Sequence, residues 1–342
     1  FYTYGTRKID GAAQCCLSDQ FAQPTPPSGV VFTQLTAGIS HTCGIREIDG
    51  EAMCWGADFD GQSTPPAGIV FTQLTACWQH TCGIREIDGE VMCWGDDWYG
   101  ETSPPAGVVF TQLTAGLQRT CGIREIDGNA QCWGKDSYGQ STPPTGVVFS
   151  QVSAGLQHTC GIRESDGDVQ CWGYSIYGEN IPPFGIVFTQ LSTTSAHYCG
   201  LSANDGEVMC WGSDNYSESI PPTGVVFSQV SAGSQHTCGI RENDGEAVCW
   251  GHGLYGSTTP PAGVVFTQLT AGQHHTCGIR EIDGNAQCWG WDNWGQSTPP
   301  VGVVFTQLTT GWNHNCGIRE IDGNAQCWGY ADWGQSTPPT GV

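Results

Sequence analysis

Basic residues are scarce in this 342-residue chain: 11 Lys and Arg stand against 33 Asp and Glu, a formal charge of −22. Beyond residue 8 the only lysine is Lys135. Nucleic acid is bound by clustered Lys and Arg, and an anionic membrane surface by a polybasic segment, so the sequence argues against both partners. Long apolar runs are missing too, which argues against membrane insertion. The chain starts at Phe1 with no initiator Met and no apolar signal stretch, as expected of a processed mature chain or the ordered part of a longer one. No window carries a helical period. No Ser-His-Asp order, phosphate loop or Ca²⁺ loop appears, and no carboxylate pair departs from the repeating pattern. We therefore expect no catalytic residue, no metal, no cofactor and no enzyme.

What the chain has in abundance is punctuation. Its 49 Gly and 19 Pro fall at fixed places, and its 19 Cys suit an oxidising compartment, so the expected location is extracellular, secreted or at the cell surface. The tripeptide C-W-G begins at Cys54, Cys93, Cys132, Cys171, Cys210, Cys249, Cys288 and Cys327, a period of 39 residues. Each is preceded by a partner: Cys43, Cys82, Cys121, Cys160, Cys199, Cys238, Cys277 and Cys316. Residues 31–342 are thus eight repeats. Residues 1–30 form a degenerate partial copy in the same phase, with Tyr4 in the first cysteine slot and Cys15-Cys16-Leu17 in place of C-W-G. No linker interrupts them, so 1–342 reads as a single repeat domain.

Each repeat predicts strands. VVFTQLTAG is β-branched and aromatic, HTCGIRE and EAMCWG flank an Asp-Gly turn, and the STPP segment belongs to an edge or a connection. A two-residue loop at Asp49-Gly50 leaves Cys43 and Cys54 only diagonal. A four-residue loop, Glu47 to Gly50, sets Arg46 against Glu51 and Cys43 directly across from Cys54, at the separation a disulfide requires. Zinc is the alternative, but it is usually held by C-x-x-C knuckles, whereas ten residues lie between these cysteines. Eight disulfides are expected. Cys15, Cys16 and Cys77 remain, an odd number, so they are candidates for a free thiol or an intersubunit link.

The stretch A-G-x-x-H-T-C-G-I, D-G, C-W-G and Y-G-Q resembles the repeat of the regulator of chromosome condensation family, whose units are blades of a β-propeller. The cysteine-bearing form is similar to the ectodomains of crinkly-type receptor kinases and to secreted propeller-type β-lactamase inhibitors. The resemblance implies an all-β propeller of disulfide-stapled repeats. Those relatives usually have seven blades, whereas this chain has eight full repeats and a partial one lacking a whole strand phase, so closure need not be simple. For function it implies only a choice among exchange factors, inhibitors, receptors and scaffolds.

Within that frame the recurring His of H-T (His41, His80, His158, His197, His236, His275, His314, interrupted by Arg119) is expected to be structural. So is the Trp of C-W-G, and so are the aromatics before Gly at Tyr99, Tyr138, Tyr177 and Tyr255, all expected in the blade-to-blade core. Partner information should lie where repeats disagree, in the loops after A-G and after C-W-G. Phe59, Trp78, Trp98, Tyr174, Trp291, Trp312 and Tyr330 mark an interaction surface there. Asn215 opens the sole glycosylation sequon, so an attached glycan is expected in one of those loops. Two roles are open. One is a structural subunit of an extracellular filament or coat, pairing with copies of itself through the missing strand and spare cysteines. The other is a protein-binding module, an inhibitor or receptor ectodomain, using the aromatic loops.

Overall fold

The computed structural model describes residues 3–4, 15–16, 30–37, 41–56, 58–77, 79–193, 197–310 and 313–329. Each repeat supplies three antiparallel strands, as in Phe71–Cys77, His80–Arg85 and Val91–Gly95. The H-T-C-G-I-R strand lies in the middle, and eight such sheets follow one another in chain order. The partial copy adds two short strands, Thr3–Tyr4 and Cys15–Cys16, with Tyr4 opposite Cys15. That is the register of Cys43 and Cys54 in the first full repeat. The S-T-P-P segments form turns and irregular connections, as their missing N–H groups require. Among the described residues the only helical turn is a 3-10 turn at Leu254–Gly256.

The hairpin loop has four residues. Arg46 N–H donates to Glu51 O (3.0 Å) and Gly50 N–H to Arg46 O (2.9 Å). Gly50 takes φ +71°, and a Cβ there would stand 2.5 Å from Val70 Cγ1 of the next repeat. Glycine is thus needed twice over, for the left-handed turn and for the close approach. Cys43 pairs with Cys54 in the ladder, and the two are joined with a Cα separation of 4.0 Å. The other seven repeats carry the same link.

No sheet can bury both of its faces alone, and each core is shared between neighbours. Cys82 and Ile84 of one repeat pack with Phe110, Leu113 and Trp133 of the next. Burying each large apolar side chain contributes about 1.5–3 kcal/mol, so a seam of this kind holds a repeat in place. Polar groups repeat the same logic. Gln34 Nε2 donates to Leu74 O (3.0 Å), while Leu74 N–H donates back to Gln34 Oε1 (2.7 Å). The amide thus stands in for a strand partner between inner strands. Deeper in the seam His41 Nε2 and Thr81 Oγ1 share a 2.7 Å bond, and Trp94 Nε1 donates to Gln62 O at 3.0 Å.

The inner strands of all eight repeats line one channel of about 400 Å³, faced largely by Gln, Thr and Ser. The eighth repeat then meets the first as any repeat meets its successor. Phe32 and Trp55 pack with Ile318 and Ala325, and Val31 stands against Gly323 as Val70 does against Gly50. The eight full repeats thus form the ring between themselves, and among the described residues each of their sheets is open with three strands.

Candidate functional site

Both variable loops emerge from one side of the ring. His41 pairs with Gly56 at the end of the hairpin away from the turn, so the loop before the middle strand and the loop after C-W-G lie together there. This side is the rim face; the four-residue turns occupy the other. Trp98 is 82% exposed and Phe59 58%. Tyr174 and Trp291 are half-buried. The side chains of Trp78, Trp312 and Tyr330 lie outside the described residues.

One expectation is corrected here. Tyr99, Tyr138, Tyr177 and Tyr255 are not core: they are 42%, 52%, 51% and 55% exposed. The deep seam position is taken instead by the residue two further on, Glu101 or Gln140, whose carboxylate or amide oxygen accepts the Tyr N–H at 2.7 Å. Burial raises the Glu101 pKa. The tyrosine ring is left on the rim, where it meets the first residue after C-W-G in the next repeat. Tyr138 meets Tyr174 with ring centroids 4.4 Å apart, Tyr216 meets His252 at 4.2 Å, and Tyr255 stacks on Trp291 at 5.4 Å. At Tyr99 the partner is a cation, Lys135 Nζ, 4.7 Å from the ring centroid. Across the first seam Asp60 has a raised pKa, through burial and then the neighbouring Asp96. Sequence reading missed this pairing, although the offset between successive repeats carries it.

The largest assembly is at the sixth and seventh repeats. Trp294 stands edge-on to Trp291 at 4.6 Å, and His274 lies edge-on to Tyr255 and Trp291 at 6.1 and 5.9 Å. Burial, and then the nearby His252, lowers the His274 pKa.

The H-T histidines are structural. His41, His80, His197 and His236 are fully buried against the next repeat's Thr, and His275 against Asn315. Burial first, and then His80, pushes His41 down to about 3, while burial takes His197 to about 4. Arg119 keeps the slot's role, bonding Thr159 Oγ1 from Nε at 3.2 Å and the carbonyl oxygens of Leu156 and His158 at 3.0 and 2.6 Å. His158 meets Tyr198 instead of a threonine, with ring centroids 5.1 Å apart. The side chain of His314 lies outside the described residues.

Among the described residues no group of three or more His, Cys, Asp or Glu is placed to hold a metal. Nor is any helix long and apolar enough to cross a membrane. Asn215 sits exposed in a rim turn. Cys77 ends an inner strand opposite His80 in the ladder, and Cys15 and Cys16 form the short strand of the partial copy; the side chains of all three lie outside the described residues.

The regulator of chromosome condensation (RCC1) repeat model matches residues 32–62, 110–140, 149–179, 188–218 and 227–257. The entire ectodomain of the Physcomitrella patens receptor kinase CR4 is 30% identical, with 74% of this chain and 70% of that one covered and a TM-score of 0.58. The chain belongs to the RCC1 repeat family. The crinkly ectodomain of the Arabidopsis thaliana receptor kinase ACR4 is also 30% identical, over 73% of this chain and 90% of that one, with a TM-score of 0.56. Prp20p of Saccharomyces cerevisiae, at 17% identity, 70% and 80% coverage and a TM-score of 0.51, shows the same fold for this RCC1-repeat protein and no more. No curated protein matches the sequence.

Proposed function

We propose that this RCC1-repeat protein is an extracellular, non-enzymatic binding module that engages a protein through its rim face. The observation that carries the reading is the gathering of the repeats' differing loops on one side of the ring, with half-exposed aromatics among them. Large rigid rings that are part-seated on neighbours give contact area at little entropic cost, which is why Tyr and Trp dominate binding hot spots. The resemblance to receptor ectodomains supports the same reading, and the eight disulfides fit an oxidising location. Prp20p, whose fold this chain shares, is described with its binding properties to Gsp1p and histones. In a secretory pathway Asn215 would carry a glycan on this same face.

The filament or coat reading draws less support. It rests on near-identical repeats, few charges, the missing strand and the spare cysteines. The first and eighth repeats pack on each other as other successive repeats do, which among the described residues leaves no gap in the ring for a second copy to fill. An intersubunit role for Cys15, Cys16 and Cys77 is kept as a secondary proposal, tested by non-reducing electrophoresis.

The test is a photo-crosslinking residue placed at Trp98 or Tyr138 on the rim, or at Ile87 or Ile282 on the turn face. Incubation with extracellular extract of the native source should give a discrete protein adduct from rim positions only. Adducts from the turn face alone, or only between copies of this chain, would sink the reading.

A further inference from the structure

The rim of the sixth and seventh repeats differs from that of the second and third in one chemically telling way. At the earlier seam Tyr99 is covered by the chain's own Lys135, whose Nζ also donates to Gln118 Oε1 at 2.8 Å. Four repeats later the equivalents of Tyr99, Lys135 and Gln118 are Tyr255, Trp291 and His274. The ammonium is replaced by an indole, which stacks on Tyr255 and is joined by Trp294 and His274. A two-part seat of ring and cation has become a cluster of rings. Tyr255 and Trp294 still offer 55% and 41% of their surface.

The electrostatics point the same way. Among the described residues the cations are nine. Seven arginines are ion-paired in the turns of the opposite face. Arg119 is buried, and Lys135 sits on Tyr99. None of these ion pairs and ring contacts involves Tyr255, Trp291 or His274. Asp292 follows Trp291 directly and is exposed, in a chain of net charge −22. An electron-rich ring surface in a negative field attracts a cation, best of all a guanidinium, which stacks as well as carrying charge.

We infer that the cluster of Tyr255, Trp291, Trp294 and His274 receives an arginine or lysine side chain from the protein partner. This rests on the binding-module reading above and names the chemistry of its partner: a basic segment, presented to the seam where Lys135 sits in the earlier pair of repeats.

The whole chain would be titrated, at low ionic strength, with an acetylated Gly-Arg-Gly-Arg-Gly peptide and with the same peptide carrying citrulline, which keeps the shape and removes the charge. Tryptophan fluorescence reads the binding. The arginine peptide should bind at least tenfold more tightly than the citrulline peptide. Trp291→Ala and Tyr255→Ala should each weaken it about tenfold, and Ile87→Ala, at an exposed loop tip on the turn face, should leave it unchanged. The variant Trp291→Lys recreates the arrangement of the earlier seam, which folds, and should abolish binding by filling the seat from within. Equal binding of the two peptides, or undiminished binding by Trp291→Lys, would overturn the inference. If the peptide fails while rim crosslinks still capture a protein, the cation seat falls and the binding module stands. If crosslinks fail as well, both fall.

Discussion

At the turn end of the hairpins the repeats read almost alike, while at the rim end they diverge, though both ends belong to the same pairs of strands. The turn face repeats an Arg–Asp ion pair in seven repeats, and Ile48, Ile87, Ile126, Ile282 and Ile321 are each about 89% exposed at the loop tips. The rim carries Trp98, Ser137, Ile176, Asn215 and Leu254 at a single slot that differs from repeat to repeat. The difference lies in what the backbone demands. The turn needs a left-handed glycine that approaches the next repeat's valine and an Asp side chain that accepts backbone N–H groups, so Asp88 Oδ1 takes Glu90 N–H at 3.1 Å. Rim loops anchor in the seams through Gln62, Glu101 and Gln140, and their exposed side chains, such as Trp98, carry no such duty and are free to serve a partner. Substitutions beneath the hairpins should therefore cost stability, and rim substitutions should cost binding.

Acid should expose the scaffold side of that contrast most strongly. Five seam histidines, His41, His80, His158, His197 and His236, are held at about 3 to 4 by burial. In the unfolded chain they titrate at their ordinary value near 6.5. Folded pKa values lie below unfolded ones, so the unfolded state takes up protons first as pH falls. Stability is full above pH 6.5 and declines towards pH 4. Each histidine contributes a slope of about 1.4 kcal/mol per pH unit, and five together at most about 7 kcal/mol per pH unit. Melting temperature followed from pH 7.5 to 4 should fall steeply below about pH 6. A flat profile would mean that the seams admit protonated histidine and are not sealed.

The architecture was legible because it is written in period and register. The Cys spacing required the four-residue loop, and the C-W-G and H-T positions matched buried seam roles at Trp94 and His80. The rim was half legible. Which loops vary is visible by comparing repeats, but Tyr99 looked like core because it recurs. Recurrence marks any position facing a neighbouring repeat, and a seam has a wet edge as well as a dry middle. The Tyr255–Trp291 stack joins different offsets of consecutive repeats, and only the ring geometry brings them together.

Removing one staple is the next largest effect. Cys160→Ala with Cys171→Ala opens a short loop, for which chain entropy predicts a loss of about 3 kcal/mol. The half-buried ring of Tyr174, close by on the rim, should keep its contact with Tyr138. Urea unfolding would report the loss, and tyrosine NMR at native conditions would report the rim. A loss under about 1 kcal/mol would mean that the shared core holds the hairpin without its disulfide.

The smallest effect belongs to the most repeated feature. Arg85 pairs with Asp88 at 2.5 Å on the turn face, with both side chains part-exposed to water. Such a pair is worth about 0.5 kcal/mol, because solvent screens it and ordering the long arginine costs entropy. The chain contains its own control: the fifth repeat has Ser202 in this slot, yet Ser202 N–H still donates to Glu207 O at 2.9 Å and the loop is the same. Arg85→Ala should therefore shift stability by no more than about 0.5 kcal/mol in urea unfolding. It should leave rim crosslinking and arginine-peptide binding unchanged. A larger shift would mean that the seven ion pairs act together around the ring; altered peptide binding would mean that the two faces are coupled.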